Sequence, residues 1–171
     1  MSAVLFSSPS RPLPPSLSCV STLGRQTLLW MIPVNLLLVA WVWLGRIVFG
    51  VGGWFLLIFM LSVVPVLLIA MLVSTILAFT QDGRPRALTP LQAVAQLATW
   101  AGLFVLGAFM PDFGDTEDSQ LSLLTQVFGY SDSLYDLSFL IALAGAVVAV
   151  AAYAVLLGAL VFARRPATAP A

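Results

Sequence analysis

Four carboxylates lie close together in the chain and are the first residues that could do chemistry. They are Asp112, Asp115, Glu117 and Asp118. Carboxylate oxygens are the ligands that hard divalent cations such as Ca²⁺ prefer. The spacing does not match an EF-hand loop, in which ligands alternate along the loop and a glutamate closes it. A solvated acidic loop therefore remains the simpler interpretation, and no metal site or cofactor is predicted.

The residue types that the sequence lacks restrict its chemistry further. The chain has no histidine and no lysine, and Cys19 is its only cysteine. Imidazole ligands and bases, Schiff-base amines and Cys–His nucleophile pairs are therefore excluded. No basic patch is interleaved with aromatic residues, so nucleic acid is not an expected partner.

Hydrophobic residues make up 61% of the chain and charged residues only 8%, whereas about a quarter of residues are charged in a soluble domain. We therefore predict an all-α integral membrane protein with four transmembrane helices. These helices are predicted at residues 27–49, 54–79, 91–110 and 134–163, each long enough to cross the hydrocarbon layer. Thr89, Pro90 and Gln92 form a helix-start pattern, with Thr89 as N-cap.

The remaining segments are two tails and one long loop. Residues 1–26 are rich in serine and proline and are predicted to be a disordered tail, and residues 164–171 form a second tail. Residues 111–133 form an acidic loop. Within it, apolar residues at helical spacing predict a short amphipathic helix over 118–128, ended by Gly129. This helix is expected either on the membrane surface or against the ends of the protein's own helices.

The arginines predict the orientation. With both termini in the cytoplasm, six of the seven arginines lie inside, as the positive-inside rule favours. The acidic loop then faces outward, and we expect a bacterial cell-membrane protein. Arg46 would be the one arginine on the outer side. It either extends to the lipid headgroups or pairs with a loop carboxylate.

Polar and small residues inside the predicted helices have two interpretations. Asn35 on the first helix, and Gln92, Gln96, Thr99 and Gly102 on the third, could line a polar pathway. The favoured alternative is that they form hydrogen bonds between helices, which contribute about 0.6 kcal/mol each on average.

Other residues predict helix geometry and packing. Pro65 predicts a kink in the second helix, because proline removes a backbone donor. The pairs Gly145/Ala149 and Ala154/Gly158 predict close helix packing, either at the centre of the bundle or against another subunit.

Three functions are compatible with these residues. The first is a non-enzymatic accessory or assembly subunit that packs against a membrane-protein partner. The second is a small oligomeric transporter or channel, which would use Pro65, Asn35 and the Gln92, Gln96 and Thr99 stripe. The third is an outer-face membrane enzyme that uses Asp112, Asp115 or Glu117. The first is preferred, because no acidic, lysine or histidine side chain lies near the predicted midplane.

Overall fold

The computed structural model describes residues 15–51, 53–81, 87–112 and 122–163, and the side chains of 15–21 and 46 are left out of this description. Within these ranges the chain is helical and contains no strand. Four helical segments are long and apolar enough to cross a membrane, which confirms the predicted number. We call them the first to fourth spans: Thr22–Leu44, Trp54–Phe79, Pro90–Phe109 and Asp132–Phe162.

The helices have the following bounds. They are α1 (Pro15–Leu44), a 3₁₀ helix (Gly45–Phe49), α2 (Trp54–Ile58), a π-helical turn (Phe59–Val63), α3 (Val64–Phe79), α4 (Pro90–Phe109), α5 (Leu123–Phe128) and α6 (Asp132–Phe162). The second span therefore consists of α2, the π-helical turn and α3. Thr89 caps α4 in a capping box with Gln92, as the sequence indicates.

The first helix begins at Pro15 rather than at Thr27, so residues 15–26 of the segment expected to be disordered are helical. Proline suits the first turn of a helix, where its missing N–H is not needed. A tertiary contact also holds this early part of α1: the backbone N–H of Leu88 donates to the carbonyl oxygen of Gly24 at 3.3 Å. Residues 1–14 and 164–171, the rest of the two predicted tails, lie outside the described residues.

The turn between the first and second spans depends on a glycine. The 3₁₀ helix Gly45–Phe49 ends where the N–H of Gly50 donates to the carbonyl oxygen of Ile47 at 3.0 Å. Gly50 has φ +72°, a left-handed conformation that costs a residue with a Cβ free energy. The reversal between the first and second spans therefore begins at Gly50.

The second span is irregular close to Pro65. The π-helical turn Phe59–Val63 ends two residues before this proline. Such turns are found where the regular ladder of backbone hydrogen bonds is interrupted, and proline interrupts it by lacking an N–H. The Ser62 hydroxyl donates to the carbonyl oxygen of Ile58 at 2.6 Å, within the same distorted stretch.

The third span occupies the centre of the bundle. Within an 18-residue apolar stretch of each span, half of the residues are buried in the third span. The corresponding shares are 39% in the first span, 22% in the fourth and 11% in the second. It packs against both the first and the fourth spans. The second span packs mainly on the first and is the most peripheral of the four, so most of its surface faces outward.

The third and fourth spans cross at two glycines. A Cβ built on Gly102 would lie 2.6 Å from the carbonyl oxygen of Gly145 and 2.9 Å from the Cβ of Ala149. A Cβ built on Gly145 would lie 2.9 Å from the carbonyl oxygen of Gly102. The two backbones therefore touch at a distance that only glycine allows. The Gly145/Ala149 pair faces this crossing, where both residues are buried.

The buried apolar residues of the bundle form two hydrophobic clusters. The first contains Leu28, Met31, Ala78, Leu88, Ala93, Ala95, Leu156 and Leu160. The second contains Leu38, Val39, Val42, Phe59, Met71, Leu103 and Ala149. Each cluster draws residues from all four spans.

We predict that Gly102→Leu destabilises the bundle, whereas Gly158→Leu does not. Overpacking at the crossing costs about 1–3 kcal/mol. Gly158 has only Phe162 of its own helix near it, at 4.0 Å, and leucine favours helix more than glycine does. Unfolding in mixed micelles, followed by circular dichroism, measures both variants. Equal stability of the two variants would contradict the close backbone contact between Gly102 and Gly145.

Candidate functional site

The amide of Asn35 connects three spans within the membrane-spanning part of the bundle. Its Oδ1 accepts hydrogen bonds from Trp100 Nε1 at 2.7 Å and from Gln96 Nε2 at 3.3 Å, both on the third span. Its Nδ2 donates to Thr75 Oγ1 on the second span at 3.1 Å. Asn35 is only 4% exposed, so these bonds form away from solvent. We call Asn35, Thr75, Gln96 and Trp100 the amide network.

The amide network ends at a backbone carbonyl on one side and at an unpaired atom on the other. The Thr75 hydroxyl donates a hydrogen bond to the carbonyl oxygen of Met71 at 2.7 Å. Gln96 Oε1 is buried and accepts no hydrogen bond from the described part of the chain. An unpaired amide oxygen in such a setting costs free energy, about 1–3 kcal/mol when no partner is supplied.

The remaining polar residues of the third span contact protein in different ways. Gln92 Nε2 donates to the carbonyl oxygen of Ala159 on the fourth span at 3.1 Å, while its Oε1 accepts from the backbone N–H of Thr89. Thr99 donates to the carbonyl oxygen of Ala95 in its own helix at 2.8 Å. Gln92, Gln96 and Thr99 are each at most 1% exposed. These contacts favour interhelical hydrogen bonding over the lining of a pathway.

Aromatic donors take part in the same packing, and the sequence analysis did not single them out. Trp41 Nε1 donates to the carbonyl oxygen of Phe104 at 3.0 Å, and its ring stacks on that of Phe104 at 5.0 Å. Tyr153 Oη on the fourth span donates to the carbonyl oxygen of Ala70 on the second at 2.6 Å. The sequence could have indicated these donors, because indole N–H and phenol O–H groups need hydrogen-bond partners once they are buried in apolar surroundings.

A groove of about 410 Å³ lies between the first and second spans, and the amide network reaches its wall. Its lining residues are Ile32, Asn35, Leu36, Val39, Leu68, Ile69, Met71, Leu72 and Thr75. All are apolar except Asn35 and Thr75. Leu36, Ile69 and Leu72 are each more than half exposed on the surface of the bundle. The groove therefore opens toward the surroundings of the spans rather than into the interior of the bundle.

Asp112 caps the second span. Its Oδ2 accepts from the backbone N–H of Gly53 at 2.8 Å and its Oδ1 from that of Phe55 at 3.0 Å. A carboxylate at this position satisfies N–H groups that have no partner inside the helix and interacts favourably with the helix dipole. Asp112 is 1% exposed, so it is a buried structural group and differs from the solvated loop carboxylate that the sequence suggested.

The other acidic candidates for a metal site, Asp115, Glu117 and Asp118, lie outside the described residues. Among the residues that the structure describes, no three histidine, cysteine, aspartate or glutamate side chains are grouped as metal ligands would be. The two alternatives for Arg46, extension to the headgroups or pairing with a loop carboxylate, concern a side chain that also lies outside the described part of the chain. The metal-site hypothesis and the alternatives for Arg46 therefore stay predictions from the sequence.

The loop helix α5 covers Leu123–Phe128, and residues 118–121 of the predicted helix lie outside the described residues. Ser122 is the N-cap: its Oγ accepts from the backbone N–H of Thr125 at 3.2 Å. Gly129 ends the helix with φ +91°, as predicted. The polar residues Ser122 and Thr125 are buried, whereas Val127 and Phe128 are 64% and 72% exposed. The last turn of the helix thus leaves Val127 and Phe128 exposed beside Gln126, whereas Leu123 and Leu124 are partly buried.

Comparison of the chain with protein-family models found no matching family, and comparisons with curated proteins and with solved structures found no match either. The function of the chain is therefore inferred from the contacts described above.

We predict that Asn35→Leu lowers the free energy of unfolding by about 2 kcal/mol, since three interhelical hydrogen bonds of about 0.6 kcal/mol each are lost. Ser62→Ala is the matched control, because Ser62 is exposed and bonds only within its own helix. Its effect should stay within about 0.5 kcal/mol. Unfolding in mixed micelles measures both, and an Asn35 variant as stable as the control would contradict the network.

We predict that Asp112→Ala destabilises the start of the second span by about 1–2 kcal/mol, as expected for a lost N-cap. Asp112→Asn keeps one acceptor oxygen and should cost less. The exposed Asp136→Asn is the matched control, with little change expected. Hydrogen–deuterium exchange measures the result: exchange at Gly53 and Phe55 should accelerate in the Asp112 variants only. Unchanged exchange at both amides would show that Asp112 does not cap this helix.

Proposed function

We propose that this chain is a non-enzymatic accessory or assembly subunit of a membrane complex. The observation that carries the proposal is the use of the buried polar side chains. Four of these side chains form hydrogen bonds inside the bundle and so stabilise its packing: Asn35, Gln92, Thr99 and Ser138. A protein built this way is suited to present helix surfaces to a partner.

The distribution of charge supports the same proposal. Within the four described spans the charged residues are Arg25, Asp132 and Asp136, and all three are close to a span end. Proton-coupled transport and intramembrane proteolysis need ionisable groups deep in the membrane. Asp112, the loop carboxylate closest to a span, accepts hydrogen bonds from two backbone N–H groups.

The outward face of the fourth span is the surface we propose for the partner. Ala144, Val147, Ala151 and Ala154 are exposed on one side of this helix, and Gly158 is half-buried there. Small residues at helical spacing allow another helix to approach closely. We propose that the Ala154/Gly158 pair serves this external contact, whereas Gly145/Ala149 serves the internal crossing.

We further propose a cell-membrane location with both termini in the cytoplasm. Four spans place the two ends of the chain on the same side of a bilayer. The arginine bias then favours the cytoplasm for that side, with the turn at Gly50 and the loop that carries α5 on the outer side.

A small oligomeric transporter or channel is the second candidate. The groove beside Asn35 and the unpaired Gln96 Oε1 favour it, because both could interact with a polar solute. Liposomes loaded with solutes of different charge test this function. Flux that is present with the native chain and reduced by Gln96→Leu would replace our first proposal.

We predict that Ala154→Leu releases the partner that co-purifies with the native chain in mild detergent. Overpacking of about 1–3 kcal/mol lowers partner affinity by about 5- to 150-fold. Val66→Phe, an enlargement on the exposed surface of the second span, is the control and should retain the partner. A strictly monomeric native chain, with nothing co-purifying from its own membranes, would overturn the proposed function.

A further inference from the structure

One end of the bundle carries a collar of exposed apolar and aromatic side chains. Its members come from three separate elements, namely the 3₁₀ helix, the start of the second span, and α5 with the residues that follow it. They are Ile47, Val48, Trp54, Val127, Phe128 and Tyr130, with exposures between 47% and 75%. We propose that this collar lies in the interfacial layer of the bilayer and that α5 is an interfacial helix inserted among the lipid headgroups.

The packing of α5 supports an interfacial position. It contacts the 3₁₀ helix and the ends of the third and fourth spans, so it lies across the end of the bundle. It turns Ser122 and Thr125 toward the protein and leaves Val127 and Phe128 outside. Leu123 and Leu124 are partly buried, so it is the last turn of the helix that leaves large apolar side chains outside. In water such side chains would be expected to be buried, so their exposure fits apolar surroundings at this end of the bundle.

Tyr130 gives the second argument, because it fixes the position of the collar along the fourth span. Its hydroxyl donates to Asp132 Oδ1 at 2.9 Å, and Asp132 is the first residue of that span. An aromatic ring beside a polar group at the end of a span matches the aromatic belts at membrane–water interfaces. The exposed apolar surface then continues along the same helix at Leu137 and Leu140.

The chemistry of the helix also favours lipid over a protein partner. The segment Leu123–Phe128 carries no charged residue, so it offers no charge complementarity to a specific protein surface. Apolar and aromatic residues without charge need only the headgroup and acyl boundary, where interfacial helices bury their apolar side about 5–10 Å deep. This contact does not depend on the proposed accessory function, since it requires no partner.

The full chain provides a direct test, because Cys19 is its only cysteine. In a Cys19→Ser background, Phe128→Cys and Tyr130→Cys are labelled with a nitrobenzoxadiazole probe and reconstituted into phosphatidylcholine vesicles. Gln126→Cys, in the same helix, is the matched control. Gln126 is exposed and lies on a different side of the helix from Phe128.

We expect a blue-shifted probe at positions 128 and 130. Lipids brominated near the headgroup should quench it more than lipids brominated near the chain ends, and aqueous iodide should quench it weakly. The probe at position 126 should be quenched mainly by iodide. Equal iodide quenching at all three positions would overturn the inference. Protection of positions 128 and 130 from both quenchers would also overturn it, because that result indicates a protein contact.

Discussion

Hydrocarbon supplies no hydrogen-bond partners, and the packing of the four spans follows from that constraint. The buried amide of Asn35 on the first span must have its oxygen and nitrogen satisfied by other helices. Trp100, Gln96 and Thr75 supply these partners, which ties the first, second and third spans together. Gln92 extends the connection to the fourth span through the carbonyl oxygen of Ala159. The polar groups therefore specify which helices are neighbours.

Close backbone contact complements these hydrogen bonds. In a lipid environment the apolar side chains gain little by leaving lipid for protein, so packing depends on how closely the helices approach. Gly102 and Gly145 allow the third and fourth spans to touch, and the indole of Trp41 packs against Gly107, where a Cβ would lie 2.7 Å from the ring. The third span becomes the centre because it carries both the amides and the glycines.

Most of the fold followed from the sequence. The number of spans, the capping box at Thr89 and the role of Gly129 depend on local chemistry, which composition and spacing indicate. The start of α1 was harder to predict. Serine and proline suggested a disordered tail up to residue 26, but Leu88, distant in sequence, bonds to Gly24 and a helix from Pro15 results.

The sequence by itself determined that this chain has four segments long and apolar enough to cross a membrane as helices. It also marked Asn35, Gln92 and Gln96 as the polar groups that need partners. Only the tertiary structure decided which partners they have. It also decided that Asp112 is buried as a helix cap, and that Val127 and Phe128 at the end of α5 are exposed. The physical reason is that hydropathy and capping are properties of neighbouring residues. The hydrogen bonds that Asn35 makes to other helices join residues separated by 40 or more positions, and no local pattern encodes those pairs.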